Sequence, residues 1–405
     1  MAGRLGIARL VVALGLMAGV ARAEPRAVTL QEVLAAIARA PAAAVSAHDV
    51  AAADALVDAA AAWPNPSLHV ATNRLTARLV AGASLPLPVF GTVGASERMA
   101  AAEAGVVRRE GAVALRQLRH RVVAAWIALA RADGEAVATS IAAQQAAELG
   151  LIARGRKDAG VGADVDVTTA AAAKARADVA ATAAVRAQAA ASAELAGLLG
   201  WPVDQRLRSA GAPDTGGTAE LAELRVGLAR HPERAAALAR VTAADAAVSQ
   251  IESLRWPILS VDAEVSYDDP TNEDKTDAMI GVVLELPLFA RIGDRARAAR
   301  ATLAAQRARL AVTDSELGGA LAATYERWRA AVETLAALER DVVPAQERAA
   351  ALTAQAYREG ARDLASALQA ERDLAAVRAE VNTARTDAAS AWEDLQLAGG
   401  RDADH

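Results

Sequence analysis

The chain has 405 residues and is 54% hydrophobic, yet it carries only two Phe, six Trp and three Tyr. Alanine, valine and leucine supply the apolar fraction, which suits closely packed helices better than a core of large side chains. With 44 basic and 49 acidic side chains, a net charge of −5 argues against nucleic acid as the main partner. Zero cysteines exclude disulfides, thiolate metal sites, cysteine nucleophiles and thioether-linked lipid.

Residues 1–23 read as a secretory signal. Arg4 and Arg9 make a basic start, residues 10–20 form an apolar run, and Ala21-Arg22-Ala23 is a small-residue cleavage site before Glu24. The apolar run is too short to span a bilayer, and Arg, Asp or Glu interrupts each later apolar stretch. The mature chain is therefore expected to be exported without a transmembrane helix.

The rest of the chain is written twice. Trp63-Pro64 recurs as Trp256-Pro257, and Leu87-Pro88-Val89-Phe90 recurs as Leu286-Pro287-Leu288-Phe289. Trp126 has its counterpart in Tyr325, and the stretch from Gly160 to Val165 returns from Gly360 to Ala365. Duplication of such rare aromatics in one order predicts two repeats, 24–203 and 221–400, with a Gly/Pro/Asp/Thr-rich linker at 204–220 and a tail at 401–405.

Each repeat predicts the same elements in order. A helix of about 30 residues comes first, at 30–62 and 221–255, interrupted at Pro41 and Pro232. Two extended segments follow, then a helical run of about 65 residues at 92–158 and 292–359. After a glycine-marked break, a last helix covers 164–199 and 363–397. At 1.5 Å per residue the long run is about 100 Å, and the two shorter helices together match it in length. The arithmetic predicts a long antiparallel helical hairpin with strands at one end.

The extended segments alternate with period 2. Leu259, Val261, Ala263, Val265 and Tyr267 take one face, and Ser260, Asp262, Glu264 and Ser266 take the other. Ile280, Val282, Leu284 and Leu286 alternate in the same way with Met279, Gly281, Val283 and Glu285. Residues 67–73 and 78–87 give a weaker pair. Each run has the length that a tilted membrane-crossing strand needs, and the acidic connector 268–277 reads as a solvated loop beyond the membrane. Four strands are too few to close a barrel, and an open sheet edge cannot sit in lipid. A barrel shared between chains is expected, with Trp63, Phe90, Trp256 and Phe289 at the membrane–water interface and Asp262, Glu264 and Glu285 on the lumen side.

In this order and spacing the chain resembles the outer-membrane efflux (TolC-like) family over its whole mature length. The residues that carry the resemblance are Trp63-Pro64-Asn65-Pro66-Ser67-Leu68 at a helix-to-strand junction and Leu85-Pro86-Leu87-Pro88-Val89-Phe90-Gly91 with Leu284-Glu285-Leu286-Pro287-Leu288-Phe289 at the strand-to-helix junctions. Val342-Val343-Pro344-Ala345-Gln346-Glu347, Tyr357-Arg358-Glu359-Gly360 and Leu368-Gln369-Ala370-Glu371-Arg372 add to it. The resemblance implies a mainly α fold with a small β part. Two-repeat helical hairpins would form an α-barrel, and four strands per chain would enter a trimeric 12-stranded transmembrane β-barrel. It further implies a homotrimer in outer-membrane lipid that docks to a periplasmic adaptor (membrane fusion) protein and an inner-membrane pump of the resistance-nodulation-division type, or to a type I secretion system.

At the helix reversals, Gly160 and Gly360 supply the positive φ of a tight turn, and Gly162 stands beside the first. Asp164 and Asp363 are expected to cap the helices that follow. The resemblance implies that these residues, with Arg362, ring the periplasmic entrance and meet the adaptor. Turn-making alone explains the same residues. Asp166, six residues after the first tip glycine, is expected to form a cation-attracting ring in the assembly, whereas Ser366 occupies the matching place in the second repeat. Lys157, Arg358 and Arg362 either hold the entrance closed by salt bridges or simply complement helix dipoles.

No catalytic constellation is present. The five histidines are isolated, and H-E-x-x-H, G-x-x-x-x-G-K-[ST] and G-x-S-x-G are absent. No enzyme activity, cofactor or resident metal is expected. The reading is a passive exit duct for solute handed over by a pump. The alternatives are a periplasmic coiled-coil adaptor or structural protein, which predicts β segments without an apolar face, and a secreted hydrolase, which needs a catalytic constellation.

Overall fold

A computed structural model describes residues 25–73, 77–268 and 275–400. The signal segment 1–23, most of the acidic connector and the tail 401–405 lie outside the described residues. The first repeat comprises β1 (Arg26–Thr29), α1 (Leu30–Ala36), α2 (Pro41–Ala61), β2 (Ser67–Asn73), β3 (Ala77–Leu87), α3 (Thr92–Asp158) and α4 (Asp164–Leu199). After β4 (Leu207–Ala210) the second repeat brings α5 (Leu221–Gly227), α6 (Pro232–Ser253), β5 (Ile258–Tyr267), β6 (Thr276–Glu285), α7 (Ile292–Ala337), α8 (Val343–Arg358) and α9 (Leu364–Gly399). The fold is mainly helical with a small β part, as the sequence predicts.

Local chemistry explains the helix boundaries. Thr29 and Glu32 form a capping box at the start of α1, each satisfying a free N–H of the other's segment. Pro41 and Pro232 open α2 and α6 after one 3₁₀ turn each, because proline cannot donate inside a helix but fits its first turn. In the second repeat the long run is not continuous. A π-helical turn, Leu338–Val342, separates α7 from α8. Pro344 has no N–H for the carbonyl of Arg340, four residues earlier, and that carbonyl lies inside the widened turn. The first repeat has no proline in α3 and runs unbroken for 67 residues.

Among the described residues, the run Leu30–Ala61 is long and apolar enough to cross a membrane by length and composition alone. Its hydropathy comes mostly from alanine, its helix is broken at Ile37–Arg39, and Asp54 within it pairs with Arg108 at 2.7 Å.

The chain divides into two compact units that cut across the sequence repeats. Of the described residues, the first contains those up to Pro41, Arg119–Gly217 and Arg327–Glu393, and the second contains Ala42–Leu118, Thr218–Glu326 and those from Asp394. The core of the first unit surrounds a two-stranded parallel sheet, in which Val28 of β1 lies opposite Ser209 of β4. Val28, Leu129, Leu195 and Leu207 are buried around it. The stretch 204–220, read from sequence as a linker, is corrected here, since it contributes β4. Ser192 Oγ accepts from the Leu207 N–H, and Asp133 accepts from the N–H and hydroxyl of Ser209 and from Gln188. A short polar strand of this kind has no period-2 apolar signal to betray it, because side-chain acceptors on neighbouring helices hold its backbone.

The second unit holds a four-stranded antiparallel sheet in the order β2-β3-β5-β6. Its register puts Leu68, Ala83, Ala263 and Ile280 in one row, and Val70, Ala81, Val265 and Ala278 in another. Leu85, Val261 and Val282 make a third row on the same face. Ser67, Ser84, Asp262 and Gly281 belong to the opposite face. Leu68 and Ile280 are each 82% exposed, so the apolar face is not covered by the chain's own core.

Candidate functional site

Two places gather the residues singled out by sequence, one in each unit. In the first unit they lie at the helix reversals. Gly160 and Gly360 both take positive φ, +74° and +80°. Both turns close with the same backbone bonds: Gly160 N–H to Lys157 O and Val161 N–H to Arg156 O, then Gly360 N–H to Tyr357 O and Ala361 N–H to Ala356 O. These bonds satisfy carbonyls that a helix end leaves free. Gly162 has no room for a side chain, since a Cβ there would sit 2.7 Å from the Lys157 nitrogen. Its counterpart Arg362 does carry one and is exposed, so the two turns are alike in bonding but not in packing.

The expected caps divide. Asp363 caps α9, accepting from the Ser366 N–H at 3.0 Å, and the Ser366 hydroxyl and N–H hold its carboxyl below the usual carboxylate range. Asp164 does not cap. The α4 and α9 helices start at the same place in the repeat, but Ala163 stands where the second repeat has Asp363, so α4 has an alanine N-cap and no side-chain cap bond. Asp164 instead meets Lys157 Nζ at 2.6 Å, which raises the lysine above its usual range, first through the hydrogen bond and then through the charge. Lys157 therefore joins the two ends of one turn. Asp166 is half-buried in the first turn of α4, and Ser366 occupies the matching first turn of α9.

Sequence reasoning passed over the cation that joins the two turns. Arg156 Nη1 donates to the Tyr357 carbonyl at 3.0 Å, and its guanidinium lies 5.3 Å from the centre of the Tyr357 ring. Tyr357 is only 1% exposed and packs with Leu149, Ala153, Ala170, Leu364 and Leu368. Burial raises its hydroxyl pKa, the charge of Asp166 adds to that, and Arg156 opposes it. The duplication hid this contact, because the counterparts of Arg156 and Lys157 are Ala356 and Tyr357. Beside the cluster, Leu149, Ala173, Leu368, Glu371 and Arg372 line a cleft of about 240 Å³. The Oε2 atom of Glu371 is buried without a hydrogen-bond partner, and burial pushes its carboxyl above the usual range.

In the second unit the sheet register puts Asp262, Glu264 and Glu285 on one face. His69 of β2 shares that face and reaches across β3 to Glu264, with Nε2 and Oε2 3.6 Å apart. The crossing needs Gly82 between them, because a Cβ there would sit 2.4 Å from the imidazole. Phe90 and Trp256 stack with ring centres 6.0 Å apart and planes 10° apart, and Arg255 lies over Trp256. Trp63 is 65% exposed and Phe289 is 94% exposed. Among the described residues no group of three or more His, Asp or Glu side chains is arranged to hold a metal ion.

The profile of a family described as outer membrane efflux protein matches residues 225–401. Solved structures extend the likeness to both repeats. The outer membrane protein VceC from Vibrio cholerae is 18% identical with a TM-score of 0.75, covering 92% of this chain and 96% of its own. The Campylobacter jejuni CmeC outer membrane channel is 14% identical with a TM-score of 0.75, covering 92% and 85%. The open state of the Neisseria gonorrhoeae MtrE outer membrane channel is 16% identical with a TM-score of 0.73, covering 92% and 88%. No curated protein matches significantly. The shared architecture of long helices and a small sheet accounts for the fold predicted from the repeats.

Proposed function

We propose that this chain, a member of the outer membrane efflux protein family by its match across residues 225–401, is the outer-membrane channel of an export system. The observation that carries this reading is the sheet of the second unit. It has one uncovered apolar face, one polar face, and outer strands β2 and β6 that each have a single strand neighbour among the described residues. A sheet with an apolar face suits lipid, but its open edges do not, so further copies must complete the wall. Three copies supply twelve strands. Lipid then meets the rows of Leu68, Val70, Val282 and Ile280, and Asp262, Glu264 and Glu285 face the water of the lumen. Trp63, Phe90, Trp256 and Phe289 mark the interface, where amphipathic rings are favoured.

The helices form the periplasmic conduit in this reading. The turns at Gly160, Gly162 and Asp164, and at Gly360, Arg362 and Asp363, meet a periplasmic adaptor, and an inner-membrane pump supplies the energy. The channel itself only conducts. Convergent copies of Asp166 attract cations near the tip, while Ser366 adds no second acidic ring.

Reconstitution tests the whole reading. Purified protein in planar lipid bilayers is expected to give discrete conductance steps, and its native mass in detergent to equal three chains. A soluble monomer without conductance would overturn it. Asp166→Ala is expected to lower cation selectivity, and unchanged selectivity would leave Asp166 only its place in the first turn of α4.

A further inference from the structure

Within the second unit, a strand pairing, an aromatic stack and an ion pair are among the contacts that join one repeat to the other. Strand β3 of the first repeat pairs with β5 of the second, so that Leu85 lies opposite Val261 and Leu87 opposite Leu259. Phe90 stacks on Trp256. Arg240 of α6 donates twice to Glu110 Oε1 of α3, at 2.8 and 2.6 Å.

Every partner in these contacts has a counterpart in the other repeat. Phe90 and Trp256 correspond to Phe289 and Trp63, and strands β3 and β5 correspond to β6 and β2. On the helices, Pro41 recurs as Pro232, and Asp54 and Arg108, which form an ion pair, have Asp245 and Arg307 as their counterparts in sequence. The same spacing carries Arg240 onto Asp49 and Glu110 onto Arg309. In the single chain these counterparts sit apart from the contacts they duplicate: β2 and β6 are the outer strands, Phe289 and Trp63 are exposed, and so are Asp49 and Arg309.

We propose that a second copy of this chain completes this seam by repeating the contacts the chain makes within itself. Strand β6 pairs antiparallel with the partner's β2, with Leu284 opposite the partner's Leu68 and Val282 opposite the partner's Val70. Phe289 stacks on the partner's Trp63, and Arg309 pairs with the partner's Asp49. The proposal rests on the multi-chain channel reading above and adds its register.

Two features of the transfer were not built into it. The transferred register sets apolar residues beside apolar residues on the lipid-facing side, whereas a slip of one residue would set them against the polar face. The ion pair survives with its signs exchanged, Arg–Glu within the chain becoming Asp–Arg between chains. Complementarity kept through an exchange of sign marks a contact between two facing surfaces rather than an inherited residue.

The cysteine-free chain makes the test direct. Leu68→Cys with Leu284→Cys, treated in membranes with a short bis-methanethiosulfonate linker, is expected to give dimer- and trimer-sized bands on non-reducing denaturing gels. Leu68→Cys with Ile280→Cys, out of register, is expected to stay at monomer size, and Leu85→Cys with Val261→Cys checks the chemistry inside one chain. A trimeric native mass with no Leu68–Leu284 product, or with equal products from the out-of-register pair, would overturn the register and leave the channel reading standing. A monomeric native mass would overturn both. Separately, Asp49→Arg and Arg309→Glu are each expected to lower the temperature at which the assembly dissociates, and their combination to restore it. Failure of the combination to restore it would overturn the ion pair.

Discussion

The indole Nε1 of Trp126 donates to the carbonyl of Val28 at 3.1 Å, tying the middle of α3 to the first strand of the chain. Its counterpart Tyr325 donates its hydroxyl to the carbonyl of Ala219 at 3.3 Å, just ahead of α5, the first helix of the second repeat. The aromatic pair that reveals the duplication thus performs one task twice, fastening the beginning of each repeat to its long helix. Trp126→Phe leaves a buried carbonyl without its donor and is expected to cost about 1–3 kcal/mol. Tyr325→Phe, at a half-buried site, is expected to cost about 0.5–1.5 kcal/mol. Denaturant titration of each variant, followed by circular dichroism, measures both.

Arg156 holds the second turn through a backbone carbonyl, so its shape matters as well as its charge. Arg156→Ala is expected to speed hydrogen exchange of the Tyr357–Arg362 amides while leaving amides near Trp126 unchanged. Arg156→Lys is expected to recover only part of the protection, because an ammonium lacks the flat face that lies over the Tyr357 ring. Equal exchange in all three proteins would show that the contact does not order the turn.

Glu371 ties stability to pH with a definite sign. Burial raises its carboxyl in the folded chain, so the folded state binds the proton more tightly than the unfolded state. Stability therefore falls as pH rises from the ordinary carboxylate range through the raised value. Glu371→Gln is expected to raise Tm at neutral pH and to have no effect at acid pH, a difference that calorimetry at two pH values resolves.

His231 has the opposite dependence. It is 3% exposed, its Nδ1 accepts from the Glu233 N–H at the head of α6, and its Nε2 faces the Leu397 carbonyl at 3.1 Å. This pattern needs the neutral imidazole with its proton on Nε2. Burial lowers its pKa, the Leu397 carbonyl opposes that, and Arg116 adds to the lowering. The unfolded state takes up the proton first, so stability is lost as pH falls below the ordinary imidazole range. His231→Gln is expected to flatten the stability profile in that window, and an unchanged slope would assign the dependence elsewhere.

Gly82 makes the reach of His69 to Glu264 possible. Gly82→Val is expected to displace the imidazole while keeping the strand, because valine favours strands. A His69 ring resonance that responds to Glu264→Gln in the parent, and no longer responds in the valine variant, would verify this.

Much of the fold was legible in the residues themselves. Proline and glycine at duplicated positions set the helix boundaries, and period-2 alternation placed β5 and β6 within a residue or two, because these are local constraints on backbone geometry. The widened turn before Pro344 also has a local cause, though only the backbone shows how the helix absorbs it. Other features are pairings between distant segments, for which a single sequence carries no local signal. Strand β4 exists because Ser192 and Asp133 happen to stand where its backbone needs acceptors. The two turns diverge because the aspartate of the first repeat stands one residue later than that of the second, inside its helix rather than at the N-cap, which makes Asp164 a partner for Lys157. Arg156 meets Tyr357 only because the two reversals come together. The sequence by itself determined the duplicated elements and their alternating faces. The tertiary structure decided which side chains close the turns and which edges stay open, since both depend on what lies opposite in space.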